Sequence, residues 1–138
     1  MADATRVVLV DTNILAYLMI EGDRTAAAQK LFERDGDWCS EAFVMMEFSN
    51  IIATYVRTGA LSQPQGVRLF TEAQAFLPTL HNVPNSQALE TALQHGISAY
   101  DARFISLAAQ LKVKLVTEDA KLRAAVPLWT LSLAEVLT

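Results

Sequence analysis

The stretch RVVLVDTNIL, Arg6 to Leu15, sets four apolar residues, Val7, Val8, Leu9 and Val10, directly before the carboxylate of Asp11. An unbroken, mostly β-branched run reads as a strand buried on both faces, as inside a parallel sheet. Asp11 then stands at the strand's carboxyl end, the edge at which open α/β sheets bind ligands. Thr12 and Asn13 beside it are residues that cap a helix beginning near Ile14. Asp also occurs in such turns for purely local reasons, so the functional weight falls on three further carboxylates.

Outward from this stretch, strands and helices alternate. Helical patterns are expected over 13–20, 25–34, 42–58, 63–77, from Asn85 or Ser86 to Leu93, from Ser98 through Leu111, and from Ser132. Strands are expected at 37–40, 80–83, 113–117 and 128–131, the second and third of the chain being weakly marked. Gly59 closes the 42–58 helix in the left-handed position that favours glycine, and Ser62 with Pro64 opens the next. No repeat, linker or low-complexity segment interrupts the series. The alternation predicts one α/β domain over 1–138 with a mainly parallel sheet.

Composition bounds the function. The 138 residues are 52% apolar and 19% charged, which fits a globular chain with a real core and excludes disorder. Cys39 has no partner cysteine, as expected in a reducing compartment, and reads as core. No signal peptide or 18-residue uncharged apolar window is visible, so a cytoplasmic, soluble protein with no membrane role is expected. The net charge of −4 disfavours nucleic-acid binding through phosphate neutralisation alone. From Arg103 onward, however, five basic residues face three acidic ones. Arg103, Lys121 and Arg123 are the candidates for phosphate contacts. His81 and His95 read as structural, since no second His or Cys stands at metal-ligand spacing.

Four carboxylates carry the chemistry. Asp11 and Asp119 each follow a buried strand, and neighbouring strands would turn both into one crevice. Asp101 opens the helix that feeds the second of these strands, where Ser98 also makes it a capping-box acid. Glu47 lies in a helix apolar nearly all round, expected to be buried, and shares a stripe with Phe43, Asn50 and Thr54. Clustered carboxylates repel one another, so the set makes sense around divalent cations. Hard oxygen ligands without His or Cys point to Mg²⁺ or Mn²⁺, ions that assist in-line displacement at phosphorus.

In order and spacing, Asp11-Thr12-Asn13, Glu47 with Asn50, Tyr100-Asp101-Ala102 and Thr117-Glu118-Asp119 resemble the motifs of PIN-domain nucleases. The length resembles the VapC-type toxins of bacterial toxin–antitoxin pairs. The resemblance covers roughly Val7 to Leu131. It implies a five-stranded sheet in the order 3-2-1-4-5, with Asp11, Glu47, Asp101 and Asp119 as an acidic quartet. It further implies single-stranded or looped RNA as substrate, cleavage to 5′-phosphate and 3′-hydroxyl ends, a homodimer and a cognate antitoxin. Asp11 and Asp101 are assigned to the principal metal, with Asp119 and Glu47 completing or extending the shell. Thr12, Asn13, Thr117 and Glu118 are expected behind them, with Glu118 adding a further acid beside the site. A phospho-acceptor domain would need an acidic pair after the first strand and an Asp after the third, where this chain has Asn82-Val83-Pro84. A non-catalytic PIN-like binding module is the remaining alternative.

Overall fold

The computed structural model describes residues 7–138. Five strands form one parallel sheet in the order β3-β2-β1-β4-β5, as expected: β1 (Val8–Val10), β2 (Trp38–Glu41), β3 (Thr79–His81), β4 (Leu115–Val116) and β5 (Thr130–Leu131). Between them run α1 (Thr12–Met19), α2 (Thr25–Arg34), α3 (Phe43–Arg57), α4 (Gln63–Phe76), α5 (Asn85–His95), α6 (Ala99–Leu111), α7 (Ala120–Ala125) and α8 (Leu133–Leu137). Parallel pairing demands a crossover between strands, and helices on the faces bury the centre of the sheet on both sides. Leu9, Val10 and Leu115 are fully buried, which is why β1 could be written as a run of apolar residues without alternation.

Val10 pairs with Val116, and the Asp11 amide donates to the Val116 carbonyl at 3.0 Å. Asp11 and Thr117 therefore leave the sheet side by side. On the other flank, the Thr117 amide donates to the Leu131 carbonyl at 2.9 Å. The strand order reverses beyond β1, so this edge is the switch point at which α/β sheets open a crevice.

Several boundaries differ from expectation. The segment 113–117 is a strand only at Leu115–Val116, and 128–131 is a 3₁₀ turn (Pro127–Trp129) before the two-residue β5. Pro127 favours that turn by fixing its φ and withholding an N–H. Helix α3 is not buried all round. Val44, Phe48 and Ile52, one turn apart, face the core, whereas Met46 and Tyr55 are exposed. Helix α4 lies close enough to α3 that a Cβ at Gly66 would stand 2.8 Å from Ile52 Cγ2. Ser62 caps α4 through a full capping box with Gln65, and Gly59 has φ +85, both as the sequence indicates. Among the described residues, no helix is long and apolar enough to cross a membrane.

Candidate active site

Asp11 ends β1 and is the N-cap of α1. Its Oδ1 accepts from the Thr12 amide at 2.7 Å, and its Oδ2 accepts from Thr117 Oγ1 at 2.7 Å. Thr117 is itself fixed from two sides, because its hydroxyl oxygen accepts from the Asp119 amide (3.1 Å) and from Asn13 Nδ2 (3.3 Å). Asn13 Oδ1 in turn accepts from the Glu118 amide at 3.2 Å. The turns after β1 and β4 are thus laced together through side chains.

Glu47 enters from α3, and its Oε1 accepts from Thr12 Oγ1 at 2.5 Å. Thr12 therefore holds two acids, Asp11 through its amide and Glu47 through its hydroxyl. Asp101 stands in the first turn of α6, where its amide donates to Ser98 Oγ. Asp119 is the N-cap of α7 and accepts from the Leu122 amide.

The electrostatics tie the four together. Burial pushes Asp11 up to about 6, against the hydrogen bonds from Thr117 and Thr12, and the charges of Glu47 and Asp101 push the same way. Glu47 is raised by burial and by Asp101; Asp101 is raised by burial and by Asp119. Among the described residues, no Lys or Arg is seen within ion-pair distance of any of the four. Among the described residues, the quartet is a shared negative field without an internal counter-ion.

A divalent cation fits this donor set. All four groups are hard oxygens, and an ion would relieve the mutual repulsion that adds to burial in raising Asp11, Glu47 and Asp101. Among the described residues, no three His, Cys, Asp or Glu side chains already stand in a ligating cage.

The raised Asp11 pKa makes a stability prediction. Between the unfolded value of 3.8 and about 6, the folded state binds more protons, so metal-free stability falls as pH rises through that window. The loss is of the order of 2–3 kcal/mol for this nearly fully buried group. Melting temperatures of wild type and Asp11→Asn, taken from pH 4 to 7, check it. The wild type is expected to lose ground relative to the variant with rising pH, and parallel curves refute the assignment.

Other expected site residues stand elsewhere. Glu118 turns away from the quartet: it pairs with Arg24, and its Oε2 accepts from the Leu133 amide at 2.6 Å at the start of α8. It ties α7's entry to α8 and adds no charge to the acidic field. Arg103 is also committed, with Nε donating to Glu41 (3.1 Å), Nη1 to Asn85 (2.7 Å), and Nη2 to the Val83 carbonyl (2.6 Å) and Asn82 (3.3 Å). Four of its five N–H donors are engaged inside the fold, so its main visible part is that of a clamp. Arg123 Nη1 donates to the Thr117 carbonyl at 3.0 Å, behind the site, while Lys121 is exposed on α7.

Glu41, which the sequence does not single out, is fully buried at the end of β2. Its Oε1 accepts from the Phe43 amide (2.7 Å), and its Oε2 accepts from the Val83 amide (2.8 Å) and from Arg103. It locks the start of α3 and the turn after β3 to α6, and so sets the approach of Glu47 to Asp101.

A PIN domain model matches residues 8–126, the stretch that holds all four acids. The chain belongs to the PIN domain family. This PIN domain is VapC-like: it is 25% identical over 123 residues to Ribonuclease VapC3 of Pyrobaculum aerophilum, spanning 86% of this chain and 94% of that protein. Its fold superposes on the crystal structure of PAE2754 from the same organism with a TM-score of 0.79 at 20% identity, covering 96% and 93% of the two chains. A chain of a toxin-antitoxin complex from Klebsiella pneumoniae follows at a TM-score of 0.67 and 18% identity, with 91% and 97% covered. Both the PIN-domain membership and the sheet order that the resemblance implies are borne out.

Proposed function

We propose that this PIN domain is a divalent-metal-dependent endoribonuclease, the toxin of a toxin–antitoxin pair, acting on single-stranded or looped RNA in the cytoplasm with Mg²⁺ or Mn²⁺. The observation that carries the reading is the convergence of Asp11, Glu47, Asp101 and Asp119 from four separate elements into one shared negative field. A sheet edge that only needed helix caps would not also bring in Glu47 from mid-helix. The family and the name of the VapC3 relative support the same chemistry.

Asp11 and Asp101 are the proposed principal ligands, with Asp119 and Glu47 completing the shell. A divalent ion held there supplies charge stabilisation at the scissile phosphate and acidifies water. The protein's part is positioning. Thr117 and the Thr12 amide orient both oxygens of Asp11, and the Thr12 hydroxyl holds Oε1 of Glu47. The deciding experiment incubates purified protein with labelled RNA, with and without Mg²⁺ or Mn²⁺. Divalent-dependent cleavage to 5′-phosphate ends is expected, and binding without cleavage would favour the non-catalytic module.

An RNase in the cytoplasm needs a restraint, and the acidic field suggests its chemistry. A partner antitoxin is proposed to insert a basic residue near Asp11, Asp101 and Asp119, since arginine meets a carboxylate in a planar, bidentate way without coordination geometry. Changing that residue to Ala is expected to weaken inhibition, and excess Mg²⁺ to compete with it. Inhibition that survives both would leave steric occlusion. A homodimer is also proposed: Met46 and Tyr55 on α3 and Val67 on α4 leave apolar surface uncovered. Sedimentation at tens of micromolar, a range set by ordinary micromolar affinities, showing monomer alone would refute it.

A further inference from the structure

Two aromatic side chains flank the acids, and neither the metal shell nor the catalytic scheme uses them. Phe43 opens α3 one turn, about 6 Å of rise, before Glu47. Tyr100 immediately precedes Asp101 in α6. Their rings stack across the two helices, with centroids 5.2 Å apart and planes 9° from parallel. Phe43 is half-buried and packed against the core, whereas Tyr100 is 63% exposed. One face of Tyr100 is thus covered by Phe43, and much of the remaining ring is open.

The stack is held in place. Glu41 accepts from the Phe43 amide and, through Arg103, from α6 three residues beyond Tyr100. The same clamp therefore fixes both rings and both acids, Glu47 and Asp101. A rigid tyrosine gives up little side-chain entropy on binding, unlike a long flexible side chain at the same place.

We infer that Tyr100, backed by Phe43, is a nucleobase-stacking platform that holds an unpaired base of the RNA beside the scissile phosphate. The inference rests on the proposed ribonuclease reading. Arg103 is engaged inside the fold, and stacking supplies affinity that needs no further cation. A base inside a duplex has both faces occupied by its neighbours. The platform would accordingly select single strands and loops, and would tolerate many sequences, because every base has a π-face.

The test compares wild type, Tyr100→Ala and Tyr100→Phe on a single-stranded oligoribonucleotide in Mg²⁺, and on copies carrying one abasic nucleotide at each position flanking the cut. Tyr100→Ala is expected to raise KM about 5- to 100-fold, with kcat moving far less, and Tyr100→Phe to recover most of that loss. At one abasic position, wild type and Tyr100→Ala should converge, because the stacking partner is already missing. A KM unchanged in Tyr100→Ala, or a loss equally large at every abasic position, overturns the platform. A change in sedimentation for Tyr100→Ala without such convergence assigns the ring to a subunit contact and equally overturns it. Should the wild type cleave no RNA, the ribonuclease reading falls by itself. The platform is then judged by quenching of 2-aminopurine in the bound oligonucleotide, expected in wild type and absent in Tyr100→Ala; equal or absent quenching in both refutes it.

Discussion

Asp11→Asn is expected to abolish divalent-dependent RNA cleavage, by about 10³-fold or more, while leaving the fold at least as stable at pH 7. The two halves of this result have separate causes. Asn keeps an oxygen for the Thr12 amide but removes the charge that an ion would need. It also loses the acceptor for the Thr117 hydroxyl, whose own lone pairs already receive Asp119 and Asn13. A lost hydrogen bond to a charged group costs about 1.5–3 kcal/mol. Against this stands the relief of a buried carboxylate held up to about 6, which is of comparable size. Rates on labelled RNA and melting curves without metal check both. Cleavage at the wild-type rate refutes the site, whereas a collapse of melting temperature would make Asp11 a cap residue alone. A rise in melting temperature on adding Mn²⁺ is expected in the wild type and not in the variant.

What the sequence discloses here follows from which neighbours a residue needs. β1 was legible because its residues are buried on both faces whatever packs there, so an apolar run suffices. Asp11, Asp101 and Asp119 were locatable because each sits at a strand end or helix start that local patterning marks. β2 was poorly marked for the opposite reason. Its Ser40 and Glu41 are buried polar residues, satisfied by partners remote in sequence: Ser40 Oγ donates to the Val10 carbonyl, and Glu41 meets Val83 and Arg103. A single sequence does not connect position 41 with position 103. Nor does it tell Glu118 from Asp119. The two acids are adjacent, and only the path of the chain out of β4 sends one toward Asp101 and the other toward Arg24. Lys121 and Arg103 are alike in sequence as basic residues near the site, and burial alone distinguishes them.

Arg103 supplies the second large effect. Arg103→Ala is expected to cost about 3–5 kcal/mol, because Glu41 would be left fully buried and without its cation. For a chain of this length that corresponds to a fall in melting temperature of about 10–20 °C. The geometry makes the cost specific: the Arg103 side chain is 16% exposed and that of Glu41 is 0% exposed, so the pair is largely shielded from water. Removing both charges together is milder, since much of the single-variant cost is the orphaned carboxylate rather than the net worth of the pair. Glu41→Gln with Arg103→Met is therefore expected to be more stable than Arg103→Ala. The comparison separates two roles for the arginine. If Arg103 were a phosphate contact, Arg103→Ala would raise KM for RNA and leave the melting curve in place. If it is a clamp, the melting curve moves first. Activity measured well below the transition then falls mainly in kcat, because Asp101 lies two residues away in the same helix and Glu47 is anchored through the same glutamate. A melting temperature within a few degrees of wild type, together with a raised KM, would return Arg103 to the substrate.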